Sequence, residues 1–230
     1  MIDLTRFMSR LKIFGHLDYA GDFDGFWKWK LGIEARGGHI LDDNHRRETY
    51  GRLCSILPRW LTYRGAPVGI KWKQVLEDSL TRISEAYNQV RNHSLLQFRE
   101  VPDEPLRSIW HELGRVKEES GNTNPGGWYY IVAITKPLMF LWGQTLAFDS
   151  IVRPHAPQCH NVQQHTRWCF EEWKRIMESF QDDMGQQPDA VQLFKTTSKE
   201  KYGTDLIVPY GQFLDLYYWV EGKEQQQSTF

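Results

Sequence analysis

Residues 71–91, KWKQVLEDSLTRISEAYNQVR, carry the most regular pattern in the chain. Apolar residues recur three or four positions apart, which puts them on one face of an α-helix and the charged residues on the other. The apolar residues are Trp72, Val75, Leu76, Leu80, Ile83, Tyr87 and Val90. The pattern therefore predicts one long amphipathic helix.

The same spacing recurs along most of the chain, and this predicts an all-α, multi-helix fold. Residues 15–40 are the exception, because they are glycine-rich and irregular. Within them, FWKWKL (26–31) alternates apolar and basic residues, so we expect at most one small β-ribbon near 26–34. Pro105 suits the first turn of a helix. The other predicted helices cover about 1–14, 42–57, 105–116, 159–184, 189–197 and 212–220.

The size of the chain fits one compact unit. It has 230 residues, of which 40% are hydrophobic, so there is enough apolar material for a core. We expect a single globular unit over 1–230. An alternative arrangement of this unit is two helical lobes (about 1–100 and 101–230) with an active-site cleft between them.

Cysteine content and hydropathy bear on the compartment. Three cysteines do not suggest a disulfide framework. The first residues lack the uninterrupted apolar core of a signal peptide. The longest uncharged apolar piece, 137–148, is shorter than the ~20 residues that a membrane span requires. These features predict a soluble, cytoplasmic protein with no membrane partner.

Positive charge is concentrated in residues 44–76, which contain seven Lys and Arg against one Glu in a chain of net charge −1. Such a stretch is either a solvated helix face or a surface that faces phosphates. Arg46, Arg47 and Arg52 are its DNA-binding candidates. One hypothesis for the function is therefore a non-catalytic all-α module that binds DNA or a protein partner through this stretch.

Residues 134–152, ITKPLMFLWGQTLAFDSIV, are strongly apolar and yet keep two charges, Lys136 and Asp149. Pro137 is predicted to end one helix and begin a second, because proline is tolerated in the first turn. Asp149 would then stand in the loop beyond the second helix. It either caps the following turn or pairs with Arg153, or it is catalytic.

Residues 128–153, which include this stretch, resemble the core of the helix-hairpin-helix DNA glycosylases, and the resemblance implies a multi-helix, glycosylase-like domain. Thr135-Lys136 matches the end of the hairpin, and FDSIVR (148–153) matches the loop that carries the catalytic aspartate. The resemblance implies that Asp149 stabilises the cationic sugar and positions the nucleophile. Lys136 would occupy the place of the amine that attacks C1′ in bifunctional members. Thr135 and Arg153 would lie against DNA, which is the expected partner.

A glycosylase holds the extruded base by stacking and by edge hydrogen bonds. Four aromatic residues are candidates for that pocket, with core packing as the alternative: Trp128, Tyr129, Tyr130 and Trp142. The hairpin glycines of the family are replaced here by Val132 and Ile134. With the aromatic excess, this favours a bulky or modified base, and one setting is defence against phage DNA that carries such bases.

Other polar residues carry weaker signals. A zinc site is not expected, because no common ligand spacing links Cys159, His160, His165 and Cys169. Three cysteines also cannot form the four-cysteine iron–sulfur loop of some glycosylases, so no cofactor is expected. Asp215 stands alone in an aromatic-rich helix and is expected to pair with a base such as Arg153 or to face solvent. No P-loop, dinucleotide fingerprint, HExxH or GxSxG motif occurs.

Overall fold

The computed structural model describes residues 2–11, 17–60, 62, 71–119, 128–160, 169–203 and 205–227. Regular structure in these residues is helical and none of them lies in a strand, which confirms the predicted all-α fold. The α-helices are α1 (Leu4–Leu11), α2 (Leu17–Glu34), α3 (Arg46–Arg59), α4 (Lys71–Arg82), α5 (Ser84–Val90), α6 (Asp103–Glu119), α7 (Trp128–Trp142), α8 (Val152–His155), α9 (Phe170–Gly185), α10 (Ala190–Tyr202) and α11 (Tyr210–Gln227). Short 3-10 helices occupy Leu95–Glu100 and Pro157–Cys159.

The amphipathic stretch 71–91 forms two helices, α4 and α5, which meet at Ile83. All seven of its apolar residues are buried, so the predicted buried face is confirmed. The prediction of one continuous helix is wrong. The helix predicted from Pro105 is also confirmed as part of α6. The predicted loop at 120–127 lies outside the described residues.

The β-ribbon predicted near 26–34 is wrong, because these residues belong to α2. Phe26, Trp27, Lys30 and Ile33 are buried there at helical spacing. A short alternating sequence can satisfy a helical face as well as a strand, and packing decides between them. The helix predicted from residue 159 instead begins at Phe170.

The helix break predicted at Pro137 is also wrong, because α7 runs through it without interruption. A proline inside a helix costs about 3 kcal/mol. Every residue of α7 from Tyr130 to Trp142 is buried, and full burial of one large apolar side chain contributes roughly 1.5–3 kcal/mol. Burial on all sides therefore outweighs the cost of the proline, and α7 contains no hairpin.

One hydrophobic cluster includes buried side chains from both halves of the chain, from Phe7 to Val220. Within it α6 packs on α4, α5 and α7, and α9 packs on the 3-10 helix at Leu95–Glu100. The central helix α7 also contacts α2 and α3. None of the described helices combines the length and the apolar content that crossing a membrane would demand.

Candidate active site

Lys136 and Asp149 lie 13 positions apart in sequence and meet in the structure, with Lys136 Nζ 3.6 Å from Asp149 Oδ2. Lys136 lies in the buried helix α7 and is only 6% exposed, so its side chain reaches the aspartate from inside the core. Its ammonium also donates a hydrogen bond of 2.5 Å to the carbonyl oxygen of Trp60. That carbonyl lies at the C-terminal end of α3, where the aligned peptide dipoles favour a cation.

The carboxylate of Asp149 is held by its other oxygen as well. Asp149 Oδ1 accepts hydrogen bonds from the backbone N–H groups of Ile151 (2.9 Å) and Val152 (3.0 Å). These bonds cap the start of α8, as the structural interpretation of Asp149 predicted. The side chain remains 18% exposed. Asp149 is therefore a fixed carboxylate that solvent can still reach.

The backbone just before Asp149 is strained. Phe148 has a φ of +50°, in the left-handed region that side chains other than glycine rarely adopt. Its ring is fully buried and lies 6.4 Å from the ring of Phe180. Such strain costs on the order of 1–2 kcal/mol and is concentrated at functional sites. Packing of the ring holds the turn that presents Asp149.

The two peptide units that flank the Cα of Ala147 are each held by a hydrogen bond. Its N–H donates to Asp215 Oδ1 at 2.7 Å, and its carbonyl oxygen accepts from Thr135 Oγ1 at 2.7 Å. The same Thr135 hydroxyl lies 2.8 Å from the carbonyl oxygen of Ile131, so it shares one proton between two acceptors. Thr135 and Asp215 thus hold the loop two residues before Asp149.

Asp215 is the residue that sequence reasoning missed. The expectation that it faces solvent is wrong, because it is only 5% exposed. Burial, and after it the nearby charge of Asp149, raise the pKa of Asp215 to about 7 against the lowering effects of the Ala147 N–H and Lys136. The available signal was a carboxylate set among Phe213, Leu214 and Leu216 in an apolar run.

Several predicted site residues lie in the core instead. Thr135 is fully buried, so no DNA phosphate reaches it. Trp142 is 1% exposed and donates to the carbonyl oxygen of His93 (3.0 Å), and Tyr130 is 3% exposed and packs against Gly114 of α6. The predicted roles of these three residues are therefore wrong. Their side chains fill the interior, where Thr135 does not meet DNA and Tyr130 and Trp142 do not line an open base pocket. The side chains of Trp128 and Tyr129 lie outside the described part of the chain.

The basic candidates occupy the surface of α3 and the start of α8. Arg46 pairs with Asp43 (3.0 Å), and Arg52 pairs with Glu48 (2.6 Å). The guanidinium of Arg52 also stacks 4.3 Å from the ring centroid of Trp29. Arg47 is exposed and forms no ion pair with a described residue. Arg153 is half-buried, and burial lowers its pKa.

Among the described residues, no group of three or more His, Cys, Asp and Glu side chains could hold a metal ion. His165 of the cysteine–histidine group lies outside them, and His160 Nε2 lies 3.0 Å from the carbonyl oxygen of Pro154.

A cavity of about 210 Å³ lies on another face of α11, between that helix and the ends of α8 and α9. Its lining includes His155, Asp183, Tyr217, Tyr218 and Glu221, and none of Lys136, Asp149 and Asp215. The cavity is therefore separate from the carboxylate and lysine group.

Comparison of the chain with protein-family models, with curated proteins and with solved structures finds no match.

Proposed function

We propose that this chain is a DNA glycosylase that hydrolyses the N-glycosidic bond of a damaged or modified base and leaves an abasic site. Asp149 is its catalytic carboxylate. The observation that carries the proposal is the approach of Lys136 Nζ to Asp149 Oδ2 at 3.6 Å, with Asp149 Oδ1 tied to two backbone N–H groups. The family resemblance of residues 128–153 depends on the same two side chains.

Cleavage of an N-glycosidic bond develops positive charge on the deoxyribose. A carboxylate held in place before the reaction stabilises that charge without a reorganisation cost. The C1′–N bond breaks with its electron pair leaving on the base, which takes up a proton. The oxygen of a water molecule then bonds to C1′, and Asp149 accepts the proton that this water releases.

Lys136 acts as a positioning residue in this proposal. The residue is 6% exposed and its ammonium donates to the carbonyl oxygen of Trp60, so its contacts direct it at Asp149 rather than at a substrate. Attack of Lys136 on C1′, as in a bifunctional enzyme, would first require the loss of that hydrogen bond. The geometry therefore favours base hydrolysis over strand cleavage by a lysine.

DNA would approach along α3 in this proposal. The C-terminal end of this helix contacts Lys136 through Trp60, and the exposed Arg59 directly precedes Trp60. Arg59 pairs with Asp22 (2.8 Å), as Arg46 and Arg52 pair with other carboxylates. Arg47 is thus the cation of α3 with the fewest constraints for a phosphate contact.

The test is base release from a panel of DNAs, which includes damaged duplexes and phage genomes with modified bases. Hot alkali after incubation converts abasic sites into strand breaks. We expect breaks with the wild type and not with Asp149→Asn. Asp205→Asn is the matched control, because Asp205 is exposed, is paired with Lys199 and is distant in sequence from Asp149.

The outcomes separate the candidate functions. Base release by Asp149→Asn at the wild-type rate would refute the proposal. No release from any substrate, together with DNA binding that depends on residues 44–76, would favour the non-catalytic binding module. Covalent trapping of the wild type by borohydride, lost in Lys136→Gln, would instead assign the Schiff base to Lys136.

A further inference from the structure

Hydrogen bonds join α11 at two points to the segment that leads from α7 to Asp149. Gly211 N–H donates to the carbonyl oxygen of Gly143 (3.0 Å), and Asp215 Oδ1 accepts from Ala147 N–H (2.7 Å). The two points are four residues apart on the helix, hence on one face, and four residues apart on the loop. One face of α11 therefore sets the course of the loop up to Asp149.

The second of these contacts is well placed to orient Asp149. Ala147 also accepts a hydrogen bond from Thr135 Oγ1 through its carbonyl oxygen, so the peptide units before and after its Cα are each held by one hydrogen bond. Asp149 follows two residues later, after the strained turn at Phe148. A carboxylate whose supporting backbone is already fixed loses little entropy when it meets its substrate.

Asp215 also belongs to a small group of charges. The ionisable side chains that bear on it are Asp149 from the loop and Lys136 from α7. With Asp215 protonated, one ammonium balances one carboxylate. With Asp215 ionised, the group carries one net negative charge, and such a charge acts strongly at low local dielectric. One proton thus changes the electrostatic environment of Asp149.

We propose that Asp215 is a positioning residue of this site, which holds the Asp149 loop through Ala147 and sets the net charge around Asp149 by gaining or losing one proton. Asp215 is 5% exposed and does not reach a substrate, so it acts through Asp149. The catalytic consequence rests on the proposed glycosylase function. The hold on the loop and the buried proton are properties of the fold alone.

The proton is tested directly by ¹³C NMR of protein labelled at the aspartate carboxyl carbons. Since the pKa of Asp215 is raised to about 7, one carboxyl signal should titrate near neutral pH. We expect that signal to be absent in Asp215→Asn. In Asp149→Asn its midpoint should shift to lower pH, because a neighbouring negative charge has been removed.

The hold on the loop is tested by hydrogen exchange at the Ala147 amide. Asp215→Asn keeps an oxygen that can accept the bond, so the amide should stay protected. Asp215→Leu removes the acceptor, and exchange should become about tenfold faster. Equal exchange in both variants and the wild type would overturn this part of the inference.

Base release supplies the third measurement. An added negative charge near the site stabilises a cationic sugar, so the wild-type rate should rise between about pH 6 and pH 8. Asp215→Asn should lack this rise of the rate with pH, whereas Asp205→Asn should keep it. A rise with the same midpoint in Asp215→Asn would overturn the charge role.

The failures of the two proposals are distinguishable. One outcome is a carboxyl that titrates near pH 7 and a protected Ala147 amide, without base release from any DNA. This outcome would support the role of Asp215 in the fold and reject the glycosylase function. Base release without any carboxyl that titrates near pH 7 supports the glycosylase and overturns the inference.

Discussion

The amide N–H of Gly211 donates a hydrogen bond of 3.0 Å to the carbonyl oxygen of Gly143, and no side chain fits between the two backbones. A Cβ atom at Gly211 would lie 2.3 Å from the backbone nitrogen of Thr145. Gly143 has a φ of +76°, and a Cβ there would lie 2.3 Å from the ring of Trp27. The start of α11 thus packs directly on the loop that leads to Asp149.

The first prediction concerns this close approach. Gly211→Ala should lower the free energy of unfolding by about 1–3 kcal/mol, because backbone must move to accept the methyl group. Gly51→Ala is the control. Gly51 lies inside α3 with open space around it, so alanine there should stabilise the helix by roughly 0.5–1 kcal/mol. Urea denaturation of both variants measures the difference, and equal stabilities would contradict the prediction.

Removal of the buried ammonium should affect both stability and the site. Lys136→Met keeps a side chain of similar length but leaves Trp60 O without this hydrogen-bond donor and Asp149 without this ion-pair partner. We expect a loss of about 1–3 kcal/mol in the free energy of unfolding, and slower base release. Lys199→Met, at an exposed lysine paired with Asp205, should change stability by less than about 0.5 kcal/mol. A Lys136→Met protein as stable as the Lys199→Met protein would be inconsistent with the observed contacts.

Stability should depend on pH through Asp215. Its pKa is about 7 in the folded protein and 3.8 in an unperturbed chain, so the folded state binds the proton more tightly. The stabilisation is complete below about pH 4 and is lost as pH rises to about 7, at about 1.4 kcal/mol for each unit of pKa difference.

Asp215→Asn cannot ionise and provides the reference for this pH dependence. The free energy of unfolding of the wild type minus that of Asp215→Asn should fall between about pH 4 and pH 7 and be level on either side. Urea denaturation at four pH values across this window measures it. A constant difference would show that Asp215 does not retain its proton in the fold.

DNA affinity should test the role of α3. Arg47→Gln should lower the slope of log affinity against log salt concentration by about 1, because one phosphate contact is lost. Arg82→Gln, on the exposed side of α4, is the control and should leave the slope unchanged. If both variants reduced the slope equally, Arg47 would have no special place in the DNA interface.

The fold class and many of the helices follow from local patterns in the sequence. The stripes in α4, α5 and α6 repeat every three or four residues, and this local period alone selects the helix and its buried face. The sequence also singled out Lys136 and Asp149, because charges are rare in so apolar a stretch.

The assembly of the site, in contrast, depends on contacts between residues that are far apart in sequence. Lys136 meets the carbonyl of Trp60 across 76 positions, and Asp215 meets Ala147 across 68 positions. No local pattern encodes such pairs, since they depend on how α3, α7 and α11 pack. The same packing keeps Pro137 inside a helix and buries Thr135 and Trp142. Periodicity reports which face of a helix is apolar, and only packing determines which polar groups meet inside the core.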